Sequence, residues 1–164
     1  MIAAIAAAVA LNGAAPSPAL AALGLGALRW NEPADQIPRA MLVWEPDPDR
    51  YAPKTLLTPG SEALVTVGGC AFAARFMGMH GKLTHVELQL SRGDREACDR
   101  DMTTRITAAL GSPRAPSGMR STYAIHEPFW DGVGESASII DWGPPIDGLA
   151  VSATASDDES VTVR

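Results

Sequence analysis

The sequence predicts an α+β domain, in which an antiparallel sheet of about five strands packs against one main helix after a short N-terminal helix. Three observations predict this fold. Apolar and polar residues alternate along several short segments, one later segment has its apolar residues at helical spacing, and Gly, Pro and Asp clusters separate these segments. The length of 164 residues fits a single domain.

The start of the chain has the features of a secretory signal. It carries no charge up to residue 21, and Ile2 to Leu11 forms an apolar run followed later by the small-x-small sequence Ala19-Leu20-Ala21. We therefore expect residues 1–21 to be a signal peptide and residues 22–164 to be one exported domain, periplasmic or secreted. No positive charge precedes the run, so an uncleaved anchor or a buried helix is the alternative.

Prolines and an Asn-Gly pair interrupt the apolar segment, so no stable membrane anchor is expected after cleavage. Much of the apolar content near the N-terminus is alanine, and we expect the core to come from the middle and end of the chain. The short N-terminal helix should begin near Glu32, because Asn31 can cap it and Pro33 is tolerated in a first turn. Pro38 should end or bend it.

The central stretch predicts strands. Residues 63–67 and 70–77 are extended in pattern, and the parity of their apolar side chains changes at Gly68-Gly69, which predicts a bulge or bend there. After a reversal at residues 78–81, one face of the returning strand is apolar and the other polar. The apolar face consists of Val86, Leu88 and Leu90, and the polar face of His85, Glu87 and Gln89.

The main helix is expected from Asp94 to Leu110, with Gly111 ending it. Its buried stripe should be Cys98, Met102, Ile106, Ala109 and Leu110. Four strand-like stretches follow, at 121–126, 136–142, 149–155 and 160–163, and the last two are expected to form a hairpin.

The two cysteines, Cys70 and Cys98, are expected to form a disulfide, because an exported chain meets oxidising conditions. The bond would join the main helix to the sheet. A nucleophilic Cys70 is the alternative, but the surrounding Val, Ala and Phe indicate burial, and the sequence shows no adjacent base.

Two groups of residues are candidates for binding. His85 and Glu87 point to the same face of a strand, with His80 in the turn before it, so the three could share a metal, although their spacing matches no zinc signature. His126, Phe129, Trp130 and Asp131 combine an imidazole, aromatic rings and a carboxylate in a predicted loop. Each group also has a structural interpretation, as solvent-facing strand residues and as aromatic rings that close a small core. We assign no metal site and no cofactor.

The charge of −6 and the absence of a Lys/Arg cluster argue against nucleic acid as a partner. The leading hypothesis is a noncatalytic exported domain that binds a protein or a cell-envelope component. One alternative is a hydrolase or metal-dependent enzyme that uses His85 and Glu87, or His126 and Asp131. Another is a secreted inhibitor that presents Phe129 and Trp130 on an exposed loop.

Overall fold

The computed structural model describes residues 16–33, 64–79, 82–115 and 123–156. These residues form two helices and a seven-stranded antiparallel sheet. The elements are α1 (Pro18–Ala22), β1 (Leu64–Val67), β2 (Cys70–Met79), β3 (Lys82–Arg92), α2 (Arg95–Leu110), β4 (Ala124–His126), β5 (Phe129–Asp131), β6 (Glu135–Trp142) and β7 (Gly148–Ala155). The α+β prediction is confirmed, and the sheet is wider than the five or so strands expected.

The strand order is β1-β2-β3-β7-β6-β4, with β5 also pairing with β6. The last strand of the described chain, β7, therefore lies in the middle of the sheet, between β3 and β6. The predicted partner of β7 at 160–163 lies outside the described residues. A short strand, β5, replaces part of the loop that was expected to carry Phe129 and Trp130, so that part of the loop prediction is wrong.

Gly68 and Gly69 form the turn of a tight hairpin. Val67 pairs directly with Cys70, and Gly68 has φ +59°, in the left-handed region that glycine adopts without steric cost. The predicted bulge is therefore wrong. The chain reverses at the glycines, and this reversal accounts for the change in parity between the two apolar patterns.

The main helix forms as predicted. Asp94 caps it, since Asp94 Oδ1 accepts a hydrogen bond of 2.8 Å from the backbone N–H of Ala97, and Gly111 ends it with φ +92°. Cys98, Met102 and Ile106 are buried in the core, and Ala109 and Leu110 pack partly buried against it. Neither helix in the described ranges is long and apolar enough to cross a membrane.

The short N-terminal helix exists, but it lies at Pro18–Ala22 and does not begin near Glu32. The backbone around Glu32 pairs with β3 instead. The backbone N–H of Leu83 donates to the Glu32 carbonyl at 2.9 Å, and the backbone N–H of Asn31 donates to the Leu83 carbonyl at 2.8 Å. Pro33 forms an isolated antiparallel β-bridge with Lys82. These backbone groups pair with β3, so residues 31–33 are not helical, and Pro38 lies outside the described residues.

The N-terminal segment also contributes to the core, contrary to expectation. Six of its apolar residues are at most 9% exposed: Ala19, Leu20, Ala22, Leu23, Leu25 and Leu28. They pack in one cluster with residues from the sheet and α2. The expectation that the core comes only from the middle and end of the chain is wrong, because these leucines are numerous enough to bury one side of the segment.

Candidate functional site

Both helices pack on one face of the sheet. Side chains on that face, such as Phe72, Leu88 and Val151, are fully buried, and α2 also packs against β5, β6 and β7. No helix among the described residues packs on the opposite face, which we call the open face. Side chains that alternate with the buried ones along each strand point to it.

One row of side chains crosses the open face from β3 to β5. His85 pairs with Thr154, Thr154 with Ser136, and Ser136 with Asp131. Because directly paired residues in antiparallel strands point to the same side, these four side chains lie next to one another.

A second row lies beside the first. Glu87 pairs with Ser152, Ser152 with Ser138, and Ser138 with Phe129. On the other side of Glu87, β2 contributes Arg75. The two rows place four of the predicted binding residues on one surface, namely His85, Glu87, Phe129 and Asp131.

The middle of both rows consists of small hydroxyl side chains, and two pairs of residues are linked there. The Oγ atoms of Ser138 and Ser152 are 2.8 Å apart, and His85 Nδ1 lies 2.7 Å from Thr154 Oγ1. Burial lowers the pKa of His85, and the nearby Glu87 carboxylate opposes this shift. A neutral imidazole can accept the threonine proton or donate one, depending on its tautomer.

A carboxylate paired with an arginine stands at each end of the rows. Asp131 Oδ2 lies 2.6 Å from Arg114 Nη2, and the Arg114 guanidinium also stacks 4.8 Å from the centre of the Phe129 ring. At the opposite end Glu87 Oε1 lies 3.7 Å from Arg75 Nη1. Positive and negative charges are therefore balanced at both ends of the open face.

The other predicted site residues do not join this surface. Trp130 is fully buried on the helix side, where its indole N–H donates to Thr107 Oγ1 at 3.2 Å. It cannot form part of an exposed aromatic loop. His126 also points to the helix side, and His80 lies outside the described residues.

His126 has a partner that the sequence did not suggest. Its Nδ1 lies 2.8 Å from Oδ2 of Asp99, a largely buried residue of α2, whose Oδ1 accepts a hydrogen bond from Thr103 Oγ1 at 3.2 Å. Asp131 pairs with Arg114 instead, so the structure does not bring His126 and Asp131 together. His85 and His126 lie on opposite sides of the sheet and cannot share one site.

A second buried carboxylate lies beside this pair. Asp141 faces His126 across β4 and β6, is 5% exposed, and has its Oδ1 3.4 Å from Arg95 Nε without hydrogen-bond geometry. Burial raises the pKa of Asp141; Arg95 and His126 oppose this shift, while Asp99 and Glu96 add to it. We call Arg95, Asp99, His126 and Asp141 the Asp99 cluster.

The disulfide between Cys70 and Cys98 is present, with the two Cα atoms 5.9 Å apart, and it joins β2 to α2 as expected. Neither cysteine is free to act as a nucleophile. Across the described parts of the chain, no three His, Cys, Asp or Glu side chains lie close enough to hold a metal ion.

The sequence indicated the polar face of β3 but not the residues that complete the rows. In the sequence these are ordinary strand residues, and only the strand order places them between His85 and Asp131; they are Ser136, Ser138, Ser152 and Thr154.

In comparisons with known proteins, no family model matches the chain, and no curated protein or solved structure matches it significantly.

Proposed function

We propose that this chain is a noncatalytic exported domain whose open face binds a neutral, hydroxyl-rich component of the cell envelope. One observation carries the proposal, which is that the two cross-strand rows gather His85, Glu87, Phe129 and Asp131 on a face that no helix of the described ranges covers. The disulfide supports export, because such bonds persist in oxidising compartments.

The hydroxyl groups in the rows suit a ligand of the same chemistry. Each serine or threonine hydroxyl donates one hydrogen bond and accepts others, so a line of them can match a ligand whose hydroxyls also do both. The four hydroxyl residues are Ser136, Ser138, Ser152 and Thr154. They are only partly buried, and their side chains remain accessible to a ligand.

The charges at the two ends favour a neutral ligand. The pair of Arg114 and Asp131 and the pair of Arg75 and Glu87 each sum to zero charge. A strongly charged ligand would gain little attraction and would disturb one of these pairs. The three strand spacings between β3 and β5 span about 14 Å, which favours an extended ligand over a single small molecule.

An NMR titration with neutral oligosaccharides prepared from envelope polysaccharide tests the proposal. We expect backbone amide shifts at residues 85–87, 129–131, 136–138 and 152–154, while the amides of α2 stay unchanged. Ser152→Tyr should place a ring across the middle of both rows and weaken binding at least tenfold. Glu96→Gln, an exposed change on the helix side, is the matched control and should leave binding unchanged.

Two results would contradict the proposal. Saturable shifts confined to the Asp99 cluster would place the binding surface on the other side of the sheet. Absence of binding by every neutral oligosaccharide, together with tight binding of a purified envelope protein to the same open face, would replace the ligand class with a protein partner.

The Asp99 cluster supports a second candidate function, acid–base hydrolysis. Asp99 orients His126 through Nδ1, and the imidazole is 45% exposed at its side chain, so its other nitrogen could exchange a proton with a substrate. A panel of chromogenic esters and phosphoesters tests this function. Activity that is lost in His126→Gln but kept in His85→Gln would support it, and no turnover of any substrate would contradict it.

A further inference from the structure

The buried carboxyl group of Glu135 is held by the N-terminal segment. Glu135 is 3% exposed, and its Oε2 accepts hydrogen bonds from the Ser17 hydroxyl and, at 2.6 Å, from the indole N–H of Trp30. Its Oε1 accepts the backbone N–H of Ala19 at 3.0 Å. A buried carboxylate needs such donors, because leaving it without them carries a large desolvation cost.

The same segment fills space in the core. Leu20 and Leu23 are fully buried, and Ser17 also caps α1 by accepting the N–H of Leu20 at 3.0 Å. Gly24, with φ +74°, lies so close to β1 that a Cβ at this position would meet Val67 Cγ2 at 3.0 Å. The segment is therefore packed against the sheet by side chains and backbone together.

A cut between Ala21 and Ala22 would remove two of the three Glu135 donors and the Leu20 side chain. It would leave a buried carboxyl group short of partners next to an empty space. We infer that Ser17 to Trp30 belongs to the mature domain, and that any cleavage during export falls before Ser17. Of the two small residues of the predicted cleavage motif, Ala19 then has a structural reason, since it is fully buried where α1 packs, whereas Ala21 is exposed.

The cleavage step rests on the export proposed above, whereas retention of the segment does not. Intact mass measurement of the full chain, expressed in an exporting bacterium and recovered outside the cytoplasm, tests both. We expect an N-terminus at or before Ser17. An uncleaved chain would support retention of the segment while contradicting export by cleavage. A product that starts at Ala22, is folded and contains the disulfide would overturn the inference.

Two matched variants in the full chain separate a cleavage site from a core segment. Ala21 is exposed in α1, so Ala21→Arg should be processed normally and leave Tm within about 2 °C of wild type. Leu20→Ala should lower Tm by at least about 5 °C, because it leaves a cavity in the core. Blocked processing in Ala21→Arg, with an unchanged Tm in Leu20→Ala, would contradict retention.

A milder variant keeps the test informative even where Leu20→Ala fails to fold. Ser17→Ala removes one Glu135 donor and the cap of α1 without leaving a large cavity. It should lower Tm measurably if the segment is retained. A mature protein whose Tm is the same with and without this substitution would contradict the inference.

Discussion

Asp99 on α2 and His126 on β4 are joined by a 2.8 Å contact between a carboxylate oxygen and an imidazole nitrogen. The Asp99 side chain is 12% exposed, whereas that of His126 is 45% exposed. The histidine therefore supplies a hydrogen-bond partner to a carboxylate that has little access to water. Because Asp99 is the more buried of the two, we expect the fold to depend on His126 as its hydrogen-bond partner.

Replacing His126 should destabilise the domain. His126→Ala leaves Asp99 Oδ2 largely buried and without its partner, which should reduce the free energy of unfolding by about 1–3 kcal/mol. Urea unfolding measures this change. Arg105→Ala is the control, because it breaks an exposed ion pair with Asp101 on the same helix and should cost at most about 0.5 kcal/mol. Equal losses in both variants would contradict the prediction.

The stability contributed by Asp141 should depend on pH. Burial raises its pKa from the ordinary value of 3.8, so the folded protein binds this proton more readily than the unfolded chain. Its contribution is fully present below pH 3.8 and is lost as the pH rises through the raised pKa. Asp141→Asn should therefore gain stability relative to wild type as the pH rises through that range.

Thermal unfolding of both proteins across this pH range measures the difference between them. Asp131→Asn is the control for loss of one carboxylate, since the Asp131 side chain is 55% exposed. A difference between wild type and Asp141→Asn that stays constant from acid to neutral pH would show that burial of this carboxyl group does not set its protonation.

His85 should have the opposite pH dependence. Burial lowers its pKa from 6.5, so the unfolded chain takes up the proton first as the pH falls. The contribution of His85 to stability is present above pH 6.5 and is lost as the pH falls through the pKa of the folded protein. His85→Gln should lose less stability than wild type between pH 7 and acid pH, as measured by urea unfolding at each pH. Parallel curves for the two proteins would refute this.

Removing the disulfide should destabilise the fold substantially. The bond closes a loop with a sequence separation of 28, for which the chain-entropy model gives about 3–4 kcal/mol. The double variant Cys70→Ala/Cys98→Ala should therefore have a free energy of unfolding lower by that amount, which urea unfolding detects as a lower midpoint concentration. Added reductant should destabilise wild type in the same way and leave the double variant unaffected. A double variant as stable as oxidised wild type would contradict the prediction.

The sequence predicted local features well where one strand or helix determines them. The alternation of Val86 and Leu88 with His85 and Glu87 identified both faces of β3, and the helical spacing of Cys98 and Met102 identified the buried face of α2. It did not show which strands are neighbours. The open face depends on that order, because β7 must lie between β3 and β6 before Thr154 can meet His85.

Buried polar pairs were missed for a related reason. Asp99 and His126 are 27 residues apart, and no local pattern connects a helix carboxylate to a particular histidine on a later strand. Trp130 was expected in a loop because turn residues surround it, but burial of its ring made a short strand more favourable. Tertiary packing overrode the local preference at this position.

The hydrogen bonds that hold Ser17 and Ala19 to Glu135 join residues 118 and 116 positions apart in the chain. These hydrogen bonds therefore cannot form until β6 has been made. Contacts of such long range slow folding, because a large loop must close before they form. The segment can pack against β1 and α2 before that point, but its polar contacts with Glu135 form only after β6 has been added.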